Sequence, residues 1–461
     1  MIVQFFGESI LLAALGFGLS MVLVQLSLPF FNEVAGGSLT IPWNKPLFWL
    51  LAVGFIVFTG LLAGSYPALY LSSFQPASTL KGTFRVGRSA PVLRRALVVL
   101  QFTISIIMII GTIAVFRQVQ YAKSRPTGYQ NEGLVLVRPY TENFHTHFNA
   151  LRSDLLATGF ITEIAESGNQ ITQSSRTNGG YEWKGKNPSM ADEFSARAVS
   201  PSYGKTIGWQ LVAGRDFTPA SADSFAMIVN ESAVKYMNLA HPVGETVSLG
   251  DNKFTIVGVV KDLISESPYS PVKPTLFYFL PQPGYLNIRI KPNVSVSDAI
   301  SGIEAIYKKY SPGAPFDYKF VSDEYAIKFA DEMRIARLTS IFAILAILIS
   351  CLGLFALASF VAEQRTKEIG VRKVFGASLF TIWKLLSKEF VLLVIISLLI
   401  SIPLAAYFIH NWLQQYPIRT EMSWWMFAAT GAGAMLIALI TISIHTVRAA
   451  VANPVRALRS E

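Results

Sequence analysis

Cys351 is the one cysteine among 461 residues. No intrachain disulfide can form, and cysteine usage says nothing about the compartment. Charge is scarce as well. Asp, Glu, Lys and Arg make up 15% of the chain against 52% hydrophobic residues, whereas soluble domains carry about 25% charged residues. None of those four residue types falls inside the long apolar runs, which argues against a proton- or ion-coupled carrier, because such carriers keep ionisable groups within the membrane. Residues 1–10 hold Glu8 and no basic side chain, so they do not read as a signal peptide.

Catalytic groupings are missing too. No serine, cysteine or carboxylate constellation suggests nucleophilic or acid–base chemistry. His145 and His147, with Glu142 nearby, fall short of a metal-ligand set and read as a solvated polar face. Residues 180–187 approach a phosphate-binding loop, but Asn187 stands where the magnesium-binding Ser or Thr belongs, and Pro188 follows. No catalytic, cofactor-binding or metal site is therefore assigned, and energy must come from outside the chain.

Six apolar runs are present, at 10–30, 47–71, 96–116, 338–362, 390–409 and 424–447. Each approaches or exceeds the roughly 20 residues that span a bilayer. The formal charge of +10 follows these runs. Between Arg117 and Arg337, 23 Lys and Arg balance 22 Asp and Glu, so nine of the excess positive charges flank the apolar runs. That is membrane topology rather than a nucleic-acid footprint, and no nucleic acid is expected as partner. The loop with Lys81, Arg85, Arg88, Arg94 and Arg95, the segment around Arg372, and the tail with Arg448, Arg456 and Arg459 are basic. The positive-inside rule then puts both termini in the cytoplasm and residues 120–330 outside, with Trp424 and Trp425 at an interface.

The outer region is soluble-like. Residues 254–260 form a β-branched run that predicts a strand, while 144–158 and 299–310 have helical apolar spacing. The expected fold is a polytopic α-helical membrane protein with six transmembrane helices and a large α+β extracytoplasmic domain. Ser322 reads as an N-cap with acids behind it. No Gly or Pro interrupts the stretch onward to Ser350, so 322–362 is predicted to be one continuous stalk and spanning helix.

The chain also echoes itself. Gln75-Pro76, closing on Leu80-Lys81, resembles Asn453-Pro454, closing on Leu458-Arg459; Glu8, Leu11 and Leu12 resemble Glu389, Leu392 and Leu393. Residues 1–82 thus read as the closing hairpin of an earlier copy, truncated in this chain. Residues 83–119 follow as a cytoplasmic linker and third spanning helix, then the outer domain at 120–330, and a stalk with three spanning helices at 331–461.

The segment after the fourth run carries most of the information. Its basic residues lie beside a membrane end, and Ile369, Val371, Val374 and Phe375 give it an apolar side, as a helix lying along a surface has. A lipid anchor and a protein-docking helix both satisfy that pattern. Residues 363–377, EQRTKEIGVRKVFGA, closely resemble the E-x-R-x-x-E-I-G-x-R-x-x-x-G-A signature of FtsX/MacB-type ABC transporter permeases. The wording at 199–208, 213–217, 229–233, 242–245 and 257–262 is similar to that family's periplasmic core, so the resemblance covers essentially all of 96–461.

The resemblance implies a permease subunit in a bacterial inner membrane, with 120–330 periplasmic. A cytoplasmic ABC ATPase dimer would dock on 363–378 through Glu363, Arg365, Glu368, Ile369, Gly370, Arg372, Lys373, Gly376 and Ala377. ATP and Mg would sit on that partner, with no cofactor on this chain. ATP-driven motion would pass to the periplasmic domain for export or handover of a substrate. Further expected partners are membrane lipids and periplasmic or outer-membrane proteins. Macrolide exporters of the family carry a fused ATPase, which nothing in these residues supplies. In the long duplicated permeases of the family the parts absent from the first copy would precede Met1. The alternatives are a signalling or sensing membrane protein with an extracytoplasmic ligand-binding domain, and an inactive permease fragment.

Overall fold

Helices α1 (Ile2–Ala35), α2 (Pro46–Ser72) and α3 (Ala90–Lys123) carry the first three apolar runs. The computed structural model describes residues 2–72, 90–141, 143–173, 175, 177–190, 193–218, 223–279 and 284–451. The echoed endings at 75–81 and 453–459 lie outside these residues. Gly60 and Gly64 of α2 let α1 approach closely: a Cβ at Gly60 would stand 2.6 Å from Ile10 Cγ1 and 2.7 Å from its Cα. This is the small-xxx-small packing of membrane helices, where van der Waals contact replaces a hydrophobic drive. Asn32 closes the hairpin by bonding Leu39 through both its amide nitrogen and its oxygen, each at 2.8 Å.

A mixed sheet of twelve strands follows. Its strands are β1 (Leu134–Val137), β2 (Ile161–Ser167), β3 (Thr177–Asn178), β4 (Tyr181–Trp183), β5 (Phe194–Val199), β6 (Leu211–Gly214), β7 (Ala226–Asn230), β8 (Thr246–Leu249), β9 (Asn252–Val260), β10 (Thr275–Phe279), β11 (Tyr285–Ile290) and β12 (Tyr318–Phe320). The order is β12-β1-β11-β2-β5-β10-β7-β9-β8-β4, with β3 on β5 and β6 on β9 off that path. The strand predicted at 254–260 is β9. Residues 180–187 make β4 and a turn whose Lys186 ammonium bonds Tyr181 O at 2.7 Å, not a strand-to-helix phosphate loop.

Six helices accompany the sheet: α4 (Asn143–Thr146), α5 (Phe148–Ala157), α6 (Tyr203–Ile207), α7 (Glu231–Met237), α8 (Val296–Tyr310) and α9 (Val321–Ile327). Helices α5 and α8 cover one end of the sheet, where Leu151, Leu155, Ile303 and Tyr307 join Ile164 and Ile288 in a buried cluster. Ser295 caps α8 by accepting from Asp298 N at 3.4 Å, and two lysines close its last turn, the polarity a helix dipole favours. Buried Asn230 caps α7 through Ala233 N at 2.9 Å and also accepts from Thr275 N at 2.8 Å. His145 of α4 faces Glu166, with Nδ1 3.3 Å from the carboxylate.

The chain returns through α10 (Ala330–Gln364), α11 (Thr366–Val374), α12 (Leu379–Leu413) and α13 (Trp424–Val451). Helices α1, α2, α3, α10, α12 and α13 are long and apolar enough to cross a membrane. Short polar side chains stitch the last four together. Ser105 Oγ meets Ser350 Oγ at 3.0 Å, Ser397 Oγ donates to Val99 O at 3.1 Å, and Trp383 Nε1 donates to Ser443 Oγ at 2.8 Å. Such bonds contribute about 0.6 kcal/mol each within membranes.

The stalk prediction needs correcting. Helices α9 and α10 are separate, with a turn at Lys328 and Phe329, and the N-cap of α9 is Phe320 rather than Ser322. The cause is tertiary: Lys328 and Phe329 are both drawn into the sheet unit, as described below.

The chain folds as two compact units. One comprises Met1–Ile113, Arg334–Tyr407 and Ser423–Glu461; the other comprises Ala114–Met333 and Phe408–Met422. The second is the sheet unit, and it includes the loop between α12 and α13.

Candidate functional site

Helix α11 is built by its two ends and one buried residue. Arg365 separates it from α10, taking the N-cap position at φ −99° without a side-chain capping bond. Its guanidinium turns instead to Glu389 of α12. Glu389 also accepts from Arg95 of α3 at 2.9 Å, so one carboxylate ties α3, α12 and the start of α11 together. Arg94, beside Arg95, lies 4.2 Å over the Phe360 ring of α10, a cation–π contact.

At the other end Gly376 takes φ +83°, a conformation that penalises any residue with a Cβ. Gly376 N donates to Lys373 O at 3.1 Å and Ala377 N to Arg372 O at 2.9 Å. Those two bonds are the Schellman arrangement, and they explain why Gly-Ala follows α11. Ser378 then opens α12 by accepting from Thr381 N at 3.3 Å.

Between the ends α11 has two faces. Ile369 is buried against Val361, Ile382 and Leu386, and Gly370 is buried beside it. On the other side Glu368 and Arg372 pair at 2.8 Å, four residues apart, the favourable acid-before-base order on a helix. Val371, Val374 and Phe375 are exposed there, Phe375 at 85%. A protruding aromatic beside an ordered charge pair offers both apolar area and a polar register, the combination that anchors protein interfaces.

The sheet unit gathers several segments around Lys328. Its ammonium donates to Thr172 O at 2.6 Å, Ser265 O at 3.0 Å and Glu266 O, and burial lowers its pKa. Phe329 packs with Val119, Ala122, Ile264, Tyr269 and Tyr325. Gln118 of α3 fixes the 414–423 loop, donating to Ile418 O at 2.9 Å and accepting from Thr420 N at 2.8 Å, while Ile418 N donates to Tyr269 O at 3.0 Å. The end of α3, the α9–α10 turn, residues 264–272 and the loop after α12 therefore form one collar. Arg289 is held by carbonyls in the same manner, with Nε on Thr206 O at 2.8 Å and Nη2 on Gln130 O at 2.7 Å. Desolvation brings its pKa down to about 10.

Residues 340–454 match the FtsX-like permease C-terminal family, and residues 96–306 match the MacB-like periplasmic core domain. The chain belongs to the MacB/FtsX-type ABC transporter permeases. The macrolide export ATP-binding/permease protein MacB of Agrobacterium fabrum is 23% identical over 236 residues, 48% of this chain and 36% of that protein. The pyoverdine export ATP-binding/permease protein PvdT of Pseudomonas putida is 23% identical over 232 residues, 47% and 35% of the two chains. This permease thus spans about a third of the length of the curated relatives it matches. Among solved structures, the periplasmic region of MacB from Actinobacillus actinomycetemcomitans covers 45% of this chain and 96% of its own, at 15% identity and a TM-score of 0.33. The extracellular domain of the ABC-type transporter YknZ covers 40% and 97%, at 10% identity and a TM-score of 0.29.

Of the permease residues named from sequence, Glu363, Glu368 and Arg372 are exposed and Lys373 is partly so. Arg365 is committed to Glu389, Ile369 and Gly370 face inward, and Gly376 and Ala377 form the cap. Two parts of this segment escape sequence reasoning. Glu389 stands out there only as the counterpart of Glu8 in the echo. Phe375 registers as apolar but not as a docking residue, although its position just before the capping glycine fixes it at the helix end.

Proposed function

We propose that this multi-pass inner-membrane permease receives mechanical work from a separate cytoplasmic ABC ATPase dimer through the outer face of α11, and delivers it to the sheet domain for export or handover of a substrate. The carrying observation is the two-faced α11: Ile369 locks it to α10 and α12, while Glu368, Arg372, Val374 and Phe375 are presented outward. A helix fixed on one side and open on the other transmits force applied to the open side. The basic loops support an orientation with α11 and both termini in the cytoplasm and the sheet domain in the periplasm. ATP and Mg belong to the partner. The collar at Lys328 is the natural receiver, because it joins the α9–α10 turn to loops of the sheet domain. MacB and PvdT are named for macrolide and pyoverdine export; by analogy the substrate here is one already outside the inner membrane.

The lipid-anchor reading is tested by reversing the charge pair. Glu368→Arg with Arg372→Glu keeps a pair on the same helix face but inverts the order presented outward. The expected result is loss of co-purification with the co-expressed ABC ATPase at unchanged membrane insertion. ATPase recovered at wild-type yield would favour the anchor.

A further inference from the structure

Strand β6 carries an exposed, one-sided edge. It pairs with β9 alone among the described residues, and residues 210–215 are all exposed. Leu211 and Val212 are 43% and 51% exposed, and Val243 beside them 44%. Val243 Cγ2 lies 3.1 Å from where a Cβ on Gly214 would stand, so Val243 adds apolar surface beside the open edge. A soluble sheet ordinarily blunts such an edge with lysine, proline or a covering loop, because an apolar unpaired strand recruits another chain.

The edge runs into a cleft. Gln210, immediately before β6, accepts from Lys261 N at 2.9 Å, and both residues line a cavity of about 800 Å³ together with Trp209, Gln130, Glu231 and Asp262. The other charged groups of this cleft are engaged. Arg125 donates to Pro268 O and Ser270 O, Asp262 accepts from Ser232 N at 2.8 Å and Ser232 Oγ at 2.7 Å, and Glu231 accepts from Asp262 N at 3.4 Å. Lys261 is exposed and has no side-chain partner among the described residues. The walls are closely packed around it, since a Cβ on Gly128 would meet Asp262 O and one on Gly208 would stand 2.9 Å from the Gln130 side chain.

We propose that β6 and this cleft form a docking site for an extended polypeptide segment, which adds as a strand to β6 and places an acidic side chain on Lys261. The backbone edge selects the class of ligand, because alternating N–H and C=O groups are satisfied together by another extended backbone. The exposed Leu211, Val212 and Val243 select apolar residues on it, and Lys261 selects one carboxylate. A second copy of this chain fits less well. Antiparallel β6 pairing would set Arg215 of the second copy, already paired with its own Asp223 at 2.7 Å, beside Gln210 and Lys261, and would leave Lys261 without a free carboxylate. The site is independent of ATPase docking and is tested without nucleotide.

The test uses the full chain in lipid nanodiscs and two fluorescein-labelled hexapeptides, EVTVTV and KVTVTV, read by fluorescence anisotropy. The acidic peptide is expected to bind saturably and more tightly than the basic one. Lys261→Glu is expected to invert that preference, and it alters only an exposed, unpartnered side chain. Val212→Pro removes a strand N–H and should weaken either peptide by about tenfold or more, with thermal unfolding confirming an intact domain. Saturable binding by neither peptide, or a preference unchanged in Lys261→Glu, overturns the proposal. So does a disulfide-linked dimer formed by Val212→Cys in a Cys351→Ser background, which would assign the edge to a second copy.

Discussion

The hairpins α1–α2 and α12–α13 start from similar sequence and end in different surroundings. Each begins near a glutamate, Glu8 or Glu389, followed by leucines at the same spacing. In the first hairpin the close contact is internal, through Gly60 and Gly64. Glu8 accepts from Gln4 of its own helix at 3.2 Å, and contacts with α10 lie toward the loop end, as Phe31 on Phe342 and Gly36 on Arg334. The second hairpin is held by its neighbours: Glu389 by Arg95 and Arg365, Ser397 by Val99, Thr441 by Cys351. In the 18-residue apolar stretch of α1 no residue is buried inside the structure, against 33% in that of α12. Similar apolar hairpins thus serve two purposes. The first presents itself to whatever surrounds it, and the second anchors the segment proposed to meet the ATPase.

The largest expected effect comes from removing the carboxylate that makes the difference. Glu389→Gln leaves two half-buried guanidiniums without their counter-charge and should cost about 2 kcal/mol. Glu8→Gln should cost less than about 0.5 kcal/mol, as surface changes do. Thermal unfolding in nanodiscs reads both, and equal losses would erase the contrast. An effect of similar size is expected at the glycines. Gly60→Ala drives a Cβ against the Ile10 backbone and should cost about 1–3 kcal/mol. The Cβ of Gly431→Ala would stand 3.3 Å from the end of the Leu398 side chain, which can rotate, so a loss under about 0.5 kcal/mol is expected. The reverse order in the same assay would mean that α1 and α2 are not packed through Gly60.

What was legible in the sequence follows the range of the forces involved. Apolar runs are local, and six helices match them. The end of α11 is local too, because a glycine at positive φ is demanded by the turn itself. The break at Lys328 was not legible. Nothing between Ser322 and Ser350 discourages helix; the turn exists because carbonyls at 172, 265 and 266 collect the Lys328 ammonium. Ile369 illustrates a middle case. Amphipathic spacing shows that α11 has an apolar side, but only packing separates Ile369 from Phe375, one against Leu386 and one in the open. The echo pairs Glu8 with Glu389 by local spacing alone, whereas the arginines that distinguish them, Arg95 and Arg365, lie 294 and 24 residues from Glu389.

The central claim is that the open face of α11, and not its buried face, meets the ATPase. A photo-reactive benzoylphenylalanine placed singly at Phe375 or at Ile369, in cells co-expressing the ABC ATPase, reads this directly. The account predicts a cross-link to the ATPase from position 375 and none from position 369. Cross-linking from 375 to lipid alone would contradict it and return α11 to the role of a membrane anchor.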